Sequence, residues 1–269
     1  MKLYIKLLLI GFFLISCKTG HLDVVAELPT SLKEISAIEI INGSNMVWVI
    51  EDAGNSNHLY GLNAKGKIVK DITIKNAENI DWEDLTSDSE GNMYIGDFGN
   101  NNKKRTTFTI YKVANVENVK TSTDADLIHF TLPKGMNSVD FESFFLYKNF
   151  FYVFSKSTKT CHLIKVPNTV GHHEATYVSN VKLKGKHHKV TSADISDDGK
   201  TVVLLNHDKL WELTGYLNDD FFSGNIKALK FEHKSQKEGV TFINDNQIFI
   251  SDERTKHDGG YMYSFNLKP

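Results

Sequence analysis

One plan recurs five times along the chain, and it restricts the fold more than any other feature. Its clearest copy runs from Asp81 to Asn102. An acidic opening, Asp81-Trp82-Glu83-Asp84, leads into a strand and a Ser89-Glu90-Gly91-Asn92 turn. A second strand, Met93 to Gly96, then runs into a polar loop, Asp97-Phe98-Gly99-Asn100-Asn101. The other copies open at Glu34-Ile35-Ser36, Asp140-Phe141-Glu142, Val190-Thr191-Ser192 and Lys237-Glu238-Gly239. Each continues through short, β-branched or aromatic runs punctuated by Gly, Asn and Asp, which is the pattern of antiparallel strands joined by tight turns. Five units in about 250 residues give roughly 50 residues each, near the blade length of propeller repeats.

The fold class read from this is all-β, a five-bladed β-propeller. The fifth unit ends after a third strand, Tyr261 to Phe265, while Leu22 to Leu28 stands unassigned before the first. Pairing these two segments closes the ring through the N-terminal strand and removes two exposed edges. A β-sandwich also has many short strands but gives no reason for five similar openings. A six-bladed ring requires a further blade in the polar insertion Asn115 to Asp126.

In a propeller the first strand of every blade lines the central channel, so equivalent residues converge. The aligned position holds Ser36, Glu83, Glu142, Ser192 and Glu238. Three carboxylates in one narrow channel either take up protons or gather a cation. An all-oxygen donor set with no Cys or His suits a hard ion, and calcium, which accepts 6–8 oxygens in flexible geometry, is the expected cofactor. A polar plug of side chains and water is the alternative. The order Ser, Glu, Glu, Ser, Glu, one per blade, resembles the openings in the five-bladed calcium-activated nucleotidases (apyrases). That resemblance implies one central calcium with hydrolysis of nucleoside di- and triphosphates beside it. It also implies a basic cluster in the third blade, where this chain offers Lys156 with Lys159 nearby. Arg254 and Lys103-Lys104-Arg105 are the other cations within reach of the same face.

Loops after the second strands fall on the face where the first strands begin, and loops on a rigid scaffold carry function. Candidate ligand-binding residues there are Asp52, Asp97, Asn100, Lys156, His207, Asp208, Asp252 and Arg254, although tight turns favour Asp and Asn for conformational reasons alone. Three activities follow as expectations: a binding module with calcium as a structural pin, a calcium-dependent hydrolase of phosphoanhydrides or phosphoesters, and a lactonase- or esterase-like propeller. No Gly-x-Ser-x-Gly elbow supports serine chemistry. Trp82 and Phe98 are further candidates, for stacking on a sugar or base. The His172-His173 and His187-His188 pairs lack the third ligand of a zinc site.

The first 16 residues read as a removed signal. Lys2 and Lys6 precede an apolar run, Leu7 to Ile15, that is short for a membrane span. Leu14-Ile15-Ser16-Cys17 resembles a bacterial lipoprotein cleavage box, with Cys17 as the lipidated residue and 17–21 as tether. The expected location is therefore the bacterial cell envelope, lipid-anchored, with 22–269 as the propeller domain and an unidentified ligand or protein as partner. The formal net charge of −2 excludes a strongly basic protein drawn to nucleic acid by its overall field. With two Cys in all, one of them Cys17, Cys161 has no intrachain partner.

Overall fold

The computed structural model describes residues 19–256 and 258–268. The leader and Cys17 lie outside the described residues. The strand β1 (Asp23–Glu27) comes first. Blade 1 follows as β2 (Ile35–Glu39), β3 (Val47–Glu51), β4 (His58–Leu62) and β5 (Ile68–Ile74). Blade 2 holds β6 (Trp82–Ser87), β7 (Met93–Asp97) and β8 (Thr107–Val113). A short β9 (Ser122–Thr123) precedes its fourth strand, β10 (Asp126–Thr131). Blade 3 is β11 (Phe141–Tyr147), β12 (Phe150–Ser155) and β13 (Cys161–Pro167), then β14 (Gly171–Glu174) and β15 (Thr176–Val181). Blade 4 is β16 (Ser192–Ile195), β17 (Thr201–Leu205), β18 (Lys209–Thr214) and β19 (Asn225–Lys230). Blade 5 is β20 (Lys237–Asn244), β21 (Gln247–Asp252) and β22 (Tyr261–Asn266), completed by β1, which pairs antiparallel with β22.

The chain is thus a five-bladed β-propeller closed by its N-terminal strand. The inner strands touch in the cyclic order β2, β6, β11, β16, β20 and back to β2. The 115–126 insertion contributes a turn of 3-10 helix, Val116–Asn118, and β9, so there is no sixth blade. Two outer edges are covered from the next blade along: β9 adds in parallel to β5, and β14 adds in parallel to β10. Covering an edge removes a row of unpaired backbone groups from solvent. His172 and His173 belong to β14, and His172 stacks on His129 of β10 with centroids 4.7 Å apart.

Apolar side chains fill five separate clusters, one at each blade-blade interface. Trp48 and Trp82 lie between blades 1 and 2, and Phe98, Phe144 and Phe151 between blades 2 and 3. Trp211 and Phe221 fill the next interface, followed by Phe231 and Phe265, then Ile38, Val49 and Met262. Trp82 and Phe98 are fully buried in these layers, so neither presents a stacking face to a ligand.

Inner strands have no neighbour on their channel side, so their N–H groups need other acceptors. Side chains of other inner strands supply them. Asp84 accepts the Phe144 and Ala193 N–H groups at 3.0 and 3.2 Å, and the Ser192 hydroxyl at 2.9 Å. Thr86 accepts from Leu146 N, Ser192 from Val240 N and Asp194 from Phe242 N. Thr241 accepts from Ile40 N at 3.4 Å and carries the pattern back to blade 1.

Replacing Asp84 by Ala takes the acceptor from three buried N–H groups, those of Leu85, Phe144 and Ala193, and from the Ser192 hydroxyl. Each buried unsatisfied group costs about 1–3 kcal/mol, so Asp84→Ala is expected to lower unfolding stability by at least about 3 kcal/mol in urea titration. A loss within ordinary surface-mutation scatter contradicts this role.

Candidate metal centre at the upper mouth of the channel

Four inner strands carry the same irregularity at their second residue. Pairing with the second strand slips between Ile35 and Ala37, Trp82 and Asp84, Phe141 and Ser143, and Lys237 and Gly239. The residues left out of register are Ser36, Glu83, Glu142 and Glu238. A bulge of this kind re-aims its side chain, and here it takes these four out of the alternating pattern that fills the blade interfaces. Blade 4 differs from the sequence alignment. Ser192 is opposite Leu205, and Thr191 N also binds the Leu205 carbonyl at 3.0 Å. Thr191 therefore occupies the level of the bulged residues, and Ser192 lies one residue deeper, level with Asp84, with its hydroxyl engaged there.

Glu83 meets two further acids: Asp52, a rim candidate of the same face, and Asp81, which the sequence reading does not include in the site. Oxygens of Asp52, Asp81 and Glu83 lie within 4.8 Å of one another. Asp52 follows β3, and Asp81 precedes β6. The loop after β7 fits tightly under them. A Cβ on Gly99 would fall 2.1 Å from Glu83 Oε1 and 2.4 Å from Asp81 Oδ2, so only glycine leaves the two carboxylates in place. Arg105 fixes this loop, donating to the Gly99 and Asp97 carbonyls and pairing with Asp97 Oδ1 at 2.8 Å.

Burial sets the electrostatics. It pushes Glu83 well above the usual carboxylate range, with Glu142, Asp52 and Asp81 adding to the shift. Burial, then Asp52, raises Asp81 to about 6. Glu142 rises to about 8 because burial outweighs the attraction of Lys156, whose ammonium is 2.5 Å from Glu142 Oε2. Burial opposes the Lys156 charge, yet Glu142, Glu238 and Glu83 overcome it and hold the ammonium above its normal range. Asp52 is raised by burial, and burial with Glu238 and Glu34 lifts Glu253 to about 7. One lysine thus faces a mouth lined by Asp52, Asp81, Glu83, Glu142 and Glu238.

Polar atoms without partners show what the mouth lacks. Among the described residues, Ser36 Oγ and Glu142 Oε1 are buried and accept or donate nothing. Glu83 beside them is 6 % exposed. These atoms, with Asp52 and Asp81, form an all-oxygen donor set for a hard cation, and calcium fits it better than an ion that requires nitrogen or sulfur.

The eight rim candidates divide by position in the strand. Glu51, Asp97, Ser155, Asn206 and Asp252 close the second-strand level, and all are buried. Asp97 holds Arg105, and Asp252 accepts Tyr261 N and the Tyr263 hydroxyl, both at 2.8 Å. The next residue in blades 1, 3, 4 and 5 is Asp52, Lys156, His207 or Glu253, and these interact with the mouth carboxylates. His207 Nε2 lies 3.1 Å from Glu238 Oε1. Asn100 binds Ser138, Val139 and the backbone of Lys104 and Arg105, and Asp208 pairs with Lys209. Arg254 ties Glu27 and the Leu28 and Gly260 carbonyls together. Glu253 and Asp81 escaped the sequence-based set; the strand period, counted from the last residue of each second strand, identifies Glu253.

The fold and this mouth define a β-propeller with an acid-lined channel entrance. No family model and no curated protein matches the chain. It is similar in structure to several propellers. The PQQ-bound aldose sugar dehydrogenase from Streptomyces coelicolor superposes with a TM-score of 0.55 at 9% identity, covering 91% of this chain and 97% of that one. Glutaminyl cyclase from Myxococcus xanthus gives 0.56 at 11%, covering 91% and 94%. A chain of the nidogen/laminin complex gives 0.52 at 10%, covering 82% and 73%. At these identities the likeness is one of fold alone.

A carboxyl with a raised folded pKa keeps a proton that the unfolded chain has released, so stability falls as pH climbs between the two values. With chelator present, the melting temperature is expected to decline from about pH 4.5 to about pH 8, as Asp81 and then Glu142 ionise. Saturating calcium should flatten that slope. A metal-free profile that stays level over this range contradicts the charge imbalance.

Proposed function

We propose that this chain is a lipid-anchored protein of the bacterial cell envelope, a calcium-binding propeller that recognises a ligand or partner through the loops around its upper mouth. Asp52, Asp81, Glu83 and Glu142 would hold the ion, with Ser36 as a hydroxyl ligand and Glu238 adjacent. The observation that carries the reading is the cluster of Asp52, Asp81 and Glu83 oxygens within 4.8 Å of one another, beside Glu142 Oε1, which is buried without a hydrogen-bond partner. An uncompensated buried carboxylate is costly, and a divalent cation removes that cost. The anchor rests on the lipoprotein-like leader of residues 1–16 and on Cys17 directly after it.

The hydrolase reading, drawn from the apyrase-like blade openings, needs cations free to grip a phosphate. Arg105 and Arg254 are committed to carboxylates and backbone carbonyls. Lys156 is at the mouth but paired with Glu142. Recognition without turnover is therefore the better-supported function. The lactonase or esterase alternative has no observation that favours it over binding.

Calcium at a hundredfold excess over its Kd should add about 2.7 kcal/mol, raising the melting temperature by about 5–10 °C. Glu83→Gln should abolish the response, and Gly99→Ala, which pushes Glu83 and Asp81 apart without removing charge, should weaken it. An unchanged calcium response in Glu83→Gln overturns the assignment. In parallel, nucleoside triphosphates, phosphoesters and lactones should remain intact with calcium-loaded protein. Calcium-dependent turnover lost in Glu83→Gln would establish the hydrolase instead.

A further inference from the structure

The other end of the channel opens into a recess of about 630 Å³, inside the range of small-molecule sites. Glu39 of blade 1 and Asp194 of blade 4 form its floor, and Met46, Leu146, Phe242 and Ile243 supply apolar wall. Four carboxylates line it, from Glu39, Asp88, Asp194 and Asp197, against the single ammonium of Lys148. None of these groups belongs to the upper mouth.

The floor is held differently from the metal centre. Glu39 accepts the Ser87 hydroxyl at 2.6 Å and the Thr241 hydroxyl at 3.1 Å. Asp194 accepts Ile195 N and Phe242 N, both at 2.7 Å. The Thr241 hydroxyl interacts with Asp194 as well, and a hydroxyl has one proton to give. Two acids about one hydroxyl therefore leave an acceptor open to a further donor. Burial, then Asp194, raises Glu39 well above its usual range, with Asp84 adding from deeper in the channel. Burial raises Asp194 to about 7, and Asp197 adds to the shift. At the rim, burial works against the Asp88 charge, but bonds from Asn92 and Tyr94 outweigh it and keep Asp88 ionised. Lys148 lies 4.8 Å from the Tyr147 ring centroid and makes no ion pair with the floor.

Because each floor carboxylate is already fixed by two donors, no oxygen there is left bare for a metal ion. The remaining lone pairs suit a cation that donates hydrogen bonds, and the wall offers surface for a hydrocarbon body. We propose that this recess binds a small organic cation, a primary ammonium carrying an apolar group, seated with its charge between Glu39 and Asp194 and its hydrocarbon against Met46, Leu146 and Phe242.

Calorimetric titration with phenethylamine and with its uncharged counterpart, phenethyl alcohol, tests this on the purified chain. The amine should bind at least about tenfold tighter than the alcohol, and its affinity should fall as the pH drops below about 7, where Asp194 takes up a proton. Glu39→Gln and Asp194→Asn should each remove that preference, while Glu83→Gln at the opposite mouth should leave it intact. Equal affinity for amine and alcohol, absence of heat from either, or loss of amine binding in Glu83→Gln with retention in Glu39→Gln overturns the proposal. Should the lower-mouth variants fail to fold, the amine–alcohol contrast and its pH dependence in the unmodified protein decide the matter.

Discussion

The inner strand of a propeller blade has an edge with no strand beside it, and this protein depends on how those edge N–H groups are paired. They bond to short polar side chains on other inner strands: Asp84 to Phe144 in the next blade and to Ala193 across the channel, Thr86 to Leu146, Ser192 to Val240, Asp194 to Phe242. The ring is thereby joined at its axis by side chain-to-backbone bonds, while the apolar layers between blades join it further out. Buried donors without acceptors are costly, so these polar residues have little freedom to change.

That constraint explains why polar residues on the inner strands fall into two sets. Residues in regular register bolt the ring. Residues at the bulges, Ser36, Glu83, Glu142 and Glu238, escape this duty and converge at the upper mouth. Their partners differ from those of the bolting set: Glu142 pairs with Lys156 and half-buried Glu238 with His207, while Ser36 Oγ and Glu142 Oε1 are buried without a partner. Lys156 offsets part of the charge and leaves most of it. Stability is given up at this point in a way that fits a binding site.

Much of the architecture was legible because it repeats. Five openings with turn residues at similar offsets fix blade number, and the unpaired Leu22 to Leu28 segment fixes the closure that β1 and β22 make. The added strands β9 and β14 were not legible, since Ser122–Thr123 and Gly171–Glu174 have no alternation and pair only with another blade's edge. The site was partly legible. Glu83, Glu142 and Ser36 stand where equivalent strand positions predict, but a bulge leaves no mark in composition, so blade 4 was aligned one residue off and Ser192 in place of Thr191 was set in the ring. Rim residues were harder to sort. Asp97 and Asp252 look like Asp52 in sequence, and a single step in strand period separates a loop anchor from a mouth-lining acid.

The two mouths of the channel thus hold carboxylates in different conditions: a crowded acidic cluster facing Lys156 above, hydrogen-bonded acids beside an apolar recess below. The account's central claim is that the bulged acids gather around a hard cation. A crystal structure of the protein grown with calcium, with anomalous differences recorded, addresses it directly. The account predicts a peak at the upper mouth with oxygens of Asp52, Asp81 and Glu83 about 2.3–2.6 Å away. Lys156 Nζ or ordered water seated among those oxygens in saturating calcium, with no anomalous peak, would contradict it.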